Sequence, residues 1–231
     1  MRGASPRVTS SGLVRGWSGP AGRRIRLARP DEGEAAGRLL TAAHHELSDE
    51  TRLLMKTGAM GTTVMRGLDG GDEAILHDVV QAVAGRPLEE VFGGLSVLLA
   101  AEDRGGELVG ALTAIPPIRT LMYALDSGVD QLQVLVMAQA VIKIKGVAVA
   151  EQARRRGIGT ALINRCVQLY SQLGWQMRYG QFAVGSGLEG YYSRRGFEVL
   201  DEGELISLRP LLDVPLSIHA MAGERLFMRW R

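Results

Sequence analysis

The chain lacks most of the features that would mark several protein classes. It holds a single cysteine, Cys166, which excludes an internal disulfide and permits a reducing compartment. No apolar run approaches the ~20 residues that carry a helix across a bilayer, so no membrane partner is expected and a cytoplasmic location is. The four histidines, His44, His45, His77 and His219, together with Glu46, lack a ligand spacing such as His-Glu-x-x-His, and no metal is expected. Acids are missing from residues 1–30, which contain seven arginines. That basic stretch carries no interleaved aromatics and no recognised motif, so nucleic-acid binding is not expected either.

What is present is ordinary for a globular protein. Of 231 residues, 46% are apolar and 23% charged, enough for one substantial core. The net charge is +2, but the basic start leaves the remainder acidic. The first 22 residues are rich in Gly, Ser, Pro and Arg and show no sustained periodicity. They read as a disordered tail or as a vector-derived linker; they share the Arg and Ser bias of a transit peptide but not its amphipathicity. A single domain is expected over 23–231.

Residues 24–29 alternate polar and apolar, the period of a half-buried strand, and Pro30-Asp31-Glu32 then opens a helix. Residues 44–94 carry several short helical patterns interrupted by glycines. Residues 95–101 and 107–113 read as two strands of a hairpin around Glu102 to Gly106. Helical spacing returns over 118–138, where Leu121, Met122, Leu125 and Leu132 would line an acceptor groove or a homodimer face. A strong strand candidate spans 142–150. Gly157 opens a helix whose apolar face includes Leu162, Ile163, Cys166, Leu169 and Tyr170, with Gly174 as its stop; on that face Cys166 reads as core. Further strands fall at 177–184, 197–200 and 226–230, and a short helix at 188–195. This order predicts an α+β (mixed α/β) fold with helical insertions after the first and third strands.

The segment Arg154-Arg155-Arg156-Gly157-Ile158-Gly159-Thr160 follows the strand at 142–150. A helix start presents unpaired amides and the positive end of its dipole, glycine permits close approach, and three arginines add positive potential. Together they form a cradle for an anion such as a pyrophosphate. A dinucleotide fingerprint would need glycine where Leu162 stands, and a phosphate-binding P-loop would need Gly-Lys-Ser/Thr. The alternative is a tight strand-to-helix turn.

Two spaced motifs resemble those of the GNAT family of N-acetyltransferases. Arg154-x-x-Gly157-x-Gly159 is similar to the family's Gln/Arg-x-x-Gly-x-Gly/Ala signature, and Tyr191-Tyr192-Ser193-Arg194-Arg195-Gly196-Phe197 to its Phe-Tyr-x-x-x-Gly-Phe segment. The resemblance is firm over 141–200. It implies a central mixed, mostly antiparallel twisted sheet flanked by helices, acetyl-CoA as acyl donor, and direct transfer to a primary amine of a small molecule or peptide. It further implies that Arg154, Arg155, Arg156, Gly157, Ile158, Gly159 and Thr160 hold the pyrophosphate. The backbone of Val147, Ala148 and Val149 would pair with the pantetheine arm, and Tyr192 would protonate the leaving sulfur. Two departures stand out. The strand at 142–150 offers Lys143 and Lys145 where many relatives place a carboxylate base, and Gly185 stands where relatives often carry Asn. These departures favour the alternative of a non-catalytic acyl-CoA sensor. His44 and His45 could reach an acceptor from the end of the first helix. The acidic excess of 44–94 favours a cationic amine.

Overall fold

A computed structural model of the chain describes residues 7–43, 45, 47–83, 85, 87–212 and 215–231. His44 and Glu46 therefore lie outside the described residues. The chain divides into two compact units, Met1–Thr113 with Gly146–Leu173, and Ala114–Lys145 with Gly174–Arg231.

The first unit opens with α1 (Ser10–Arg15) and β1 (Trp17–Ser18), followed by β2 (Arg24–Leu27), α2 (Gly33–Ala42), α3 (Asp49–Thr57), α4 (Thr62–Val83) and α5 (Leu88–Leu95). The hairpin β3 (Val97–Glu102) and β4 (Leu108–Ile115) comes next. The second half of β5 (Val141–Val149) and α8 (Ile158–Gln172) complete the unit. Its strands run in the order β1-β2-β3-β4-β5, with β2 antiparallel to both β1 and β3. Apolar positions at helical spacing bring Ala36 and Leu40 of α2 against Leu47, Met55, Met60, Leu98, Ala111 and Ala148. Each fully buried Leu or Met here contributes about 1.5–3 kcal/mol. The hairpin turn is tied by Asp103, whose carboxylate accepts from the amides of Gly105 and Glu107.

The second unit holds α6 (Ile118–Asp126), α7 (Gln131–Ala140), the first half of β5, β6 (Met177–Ala183), α9 (Glu189–Ser193) and β7 (Glu198–Val199). It continues through β8 (Leu205–Ser207), α10 (Arg209–Leu212), β9 (Ser217–His219) and β10 (Glu224–Trp230). Its strands run β5-β6-β10-β7, with a separate β8-β9 hairpin. β5 and β6 are parallel from Val141↔Met177 to Lys143↔Tyr179, and β6 and β10 are antiparallel over seven pairs.

The expected mixed, mostly antiparallel sheet flanked by helices is what forms. Helices α3 to α5 fill the insertion after the expected first strand, and α6 and α7 the insertion after the third. Two readings need correction. Residues 7–22 are not a disordered tail: α1 is capped by Thr9, and Val8 and Leu13 are buried. Composition missed this because their order comes from distant partners. The Val8 amide donates to Gln172 Oε1 (2.8 Å), and the Gln172 amide donates back to the Val8 carbonyl (2.8 Å). The second correction concerns β2, where alternation placed Arg26 toward water. Its guanidinium is only 2% exposed and lies between Glu32 (2.5 Å) and Glu102 (2.6 Å). Glu102 is thus a buried counter-ion and not a turn residue. Of the apolar residues in α6 and α7, Leu121 is buried while Leu132 is exposed.

Candidate active site

The cradle belongs to the first unit. The Ala150 amide donates to the Val109 carbonyl of β4 (2.9 Å). Because strand amides alternate in direction, those of Val147 and Val149 point to the opposite edge of β5, while Ala148 is buried. After β5 a short 3-10 turn, Glu151–Ala153, leads into the arginine run. Arg154 turns its side chain back to the Val149 carbonyl (3.2 Å). Arg155 and Gly157 both take left-handed backbone angles, with φ of 59° and 78°. Left-handed residues within such a turn gather successive amides into an anion-binding hollow, and a non-glycine residue held there is a form of strain that clusters at ligand sites.

Helix α8 begins at once. The Ala161 amide is the one that reaches the Gly157 carbonyl (2.9 Å), so the Ile158 and Gly159 amides at the helix start have no intrahelical acceptor. The N-cap Gly157 supplies no side-chain acceptor. A Cβ at Gly157 would come no closer than 3.6 Å to Pro20, so glycine is needed there for its conformation and not for space. Gly159 has no positive φ, and what it provides is a bare backbone in the first turn. Arg154, Arg155 and Arg156 are exposed, Ile158 is buried in the core, and Gly159 and Thr160 are half-buried. A phosphate-bearing group fits this donor set, with amides and guanidinium groups and no acid besides Glu151 in the turn.

Tyr192 lies in the second unit, on α9. Its ring stacks on Phe227 with centroids 3.7 Å apart and on Phe182 at 5.5 Å, and meets Phe197 edge-on at 5.9 Å. Burial pushes its phenol well above the usual tyrosine range; Tyr191 adds to the shift and Arg195 opposes it. Its hydroxyl makes no hydrogen bond with any described residue. Tyr191 sits differently, under the Arg195 guanidinium at 3.4 Å from the ring centroid, a packing role.

Gly185 has a φ of 76° with no neighbour near its missing Cβ. Asn is among the residues that tolerate this region best, so the backbone there would accept the residue that relatives carry. His45 packs on β5: a Cβ at Gly146 would lie 3.0 Å from its Cβ and Cγ. Cys166 is buried in α8, as expected of a core residue. Sequence reasoning missed a polar row across β5, β6 and β10. Lys143 Nζ donates to Gln181 Oε1 (3.2 Å), and the Gln181 amide donates to Glu224. Among the described residues no group of His, Cys, Asp and Glu could hold a metal ion, and no helix is long and apolar enough to cross a membrane.

A strand here runs into an arginine-flanked helix start whose donors suit an anionic group. Residues 94–199 match the model of the acetyltransferase (GNAT) domain, the stretch that holds both motifs resembling that family. Arabidopsis thaliana NAA60, solved with a bisubstrate analogue, shares the fold at 17% identity over 90% of this chain and 97% of that one, with a TM-score of 0.51. Ard1 from Thermoplasma volcanium is 13% identical over 90% and 97% of the two chains, with a TM-score of 0.47. The PaiA N-acetyltransferase of Thermoplasma acidophilum, solved with coenzyme A, is 11% identical over 90% and 99%, with a TM-score of 0.45. No curated protein matches the chain in sequence.

Proposed function

We propose that this protein is an N-acetyltransferase that moves an acetyl group from acetyl-CoA to a primary amine of a small molecule or peptide, directly and within a ternary complex. The observation that carries the reading is the left-handed pair Arg155 and Gly157 opening α8, which turns the Ile158 and Gly159 amides outward beside three arginines. Those amides, with the exposed arginines, would hold the pyrophosphate. The amides of Val147 and Val149 would orient the pantetheine arm. The bound cofactor supplies the acetyl group as a thioester.

Tyr192 holds its proton at the phenol oxygen. With its pKa raised by burial it stays protonated across the neutral range, so it can donate to a sulfur leaving with negative charge. The ring stack around it fixes where that oxygen points. No carboxylate stands on β5, so the acceptor amine would enter neutral or lose its proton to water. A cytoplasmic location fits the reading.

A second reading is a non-catalytic acyl-CoA sensor, favoured by Gly185 and by lysines where a base is usual. Tyr192→Phe separates the two. Under the enzyme reading, acetyl-CoA binding survives in this variant while turnover falls about 10²–10⁴-fold, the range for losing a general acid. Equal turnover in the variant would remove Tyr192 from the mechanism.

A further inference from the structure

Lys143 lies on β5 with its side chain largely out of water, yet its recorded partners are neutral. They are the Gln181 carbonyl oxygen at 3.2 Å and the Tyr179 ring, whose centroid is 5.9 Å from Nζ. The charge nearest to balancing it, Glu224 on β10, is occupied by the Gln181 amide. The Gln181 amide is therefore locked, its oxygen on a cation and its nitrogen on an anion. Two more cations act on Lys143, namely Lys145 two residues along β5 and Arg119 on α6. Neither makes an ion pair or hydrogen bond among the described residues. Lys143 thus feels one carboxylate against two further cations. A half-buried ammonium with only neutral contacts and like charges around it is costly unless an anion completes it. Burial lowers its pKa; Glu224 opposes that shift, and Lys145 and Arg119 reinforce it.

We propose that Lys143, backed by Lys145 and Arg119, is the subsite for a carboxylate carried by the acyl acceptor, so that the acceptor is an amine that also bears an acid. This rests on the acetyltransferase reading above. It is consistent with the acidic 44–94 segment, since such an acceptor also carries a cationic amine.

The test compares free acids with their neutral counterparts: phenylalanine with phenylalaninamide, and lysine with lysinamide, as acceptors in an acetyl-CoA-dependent assay of CoA release. The wild-type protein should prefer the acids. Lys143→Met should lose about 10- to 100-fold in kcat/KM for them, the scale of a charged hydrogen bond, with acetyl-CoA affinity unchanged. Lys143→Arg should restore part of it. Amides used as well as acids, or a preference surviving in Lys143→Met, would overturn the proposal. A second arm needs no turnover. Malonate should raise the melting temperature of the wild-type protein, as any ligand of the native state does, and raise that of Lys143→Met far less. Equal rises would overturn the subsite, whereas absence of CoA release with every amine would count against the acetyltransferase reading alone.

Discussion

Tyr192 shows how one side chain can be both packed and unspent. Its ring is held by three phenylalanines, while its hydroxyl has no partner among the described residues. Burial raises its pKa above the ordinary value of about 10, so turnover limited by this acid should show no decline between about pH 7 and 10. A fall centred near neutrality in a kcat–pH profile would assign the acid elsewhere. The spacing to Gly196 and Phe197 made Tyr192 legible in the sequence; the phenylalanine stack that buries its ring was not. Lys143 was legible only as a departure from a carboxylate. Its partners lie 38 residues away at Gln181 and, from there, 43 more at Glu224, and side-chain meetings across a sheet leave no local periodicity to read. Because its pKa is lowered on folding, the unfolded chain binds the proton more tightly, so stability attributable to this group rises with pH up to its unfolded value of about 10.5. Lys143→Met should therefore gain denaturation midpoint over wild type at pH 7, with the gain closing as pH approaches that value.

At the level of elements, strands and helices were read well wherever a period ran unbroken. β5 and α8 emerged because alternation gives way to helical spacing at a glycine, and the hairpin because Asp103 and Gly105-Gly106 punctuate it. Gly157→Ala would force a left-handed alanine, costing about 1–2 kcal/mol, with no clash to relieve. The expected result is a weaker acetyl-CoA affinity by calorimetry and a modest loss of stability. Unchanged affinity would separate the turn from the cofactor. In β2 the period misled, because a buried guanidinium satisfied by two carboxylates occupies a position that alternation assigns to water. Glu102→Ala would leave Arg26 buried beside a single acid, and breaking such a pair costs about 3–5 kcal/mol, readable in urea unfolding. Burial would raise the Glu32 carboxyl, but Arg26 and the Arg29 amide hold it below the ordinary range. Its stabilising share is thus complete above that range and is lost as pH falls through the depressed value.

The whole molecule depends on its beginning more than composition suggests. Low periodicity and a Gly-, Ser- and Arg-rich makeup predict disorder when only local signals are weighed. Yet Leu13 is fully buried, Trp17 pairs with Ile25, and the Arg165 guanidinium lies 4.7 Å from the centre of the Trp17 ring. Removing residues 1–22 exposes the core faces that Val8 and Leu13 cover, each worth about 1.5–3 kcal/mol. The melting temperature should drop by several degrees, and an unchanged value would return this segment to the status of a tail.

The central claim is that the helix start at Gly157 delivers acetyl-CoA to an amine. Its most direct test is CoA release by the wild-type protein with acetyl-CoA and a broad amine panel, run beside calorimetric titration of acetyl-CoA. The account predicts saturable binding together with release that depends on the amine. Tight binding with no release from any amine would contradict catalysis and leave a sensor; absence of binding would contradict the site itself.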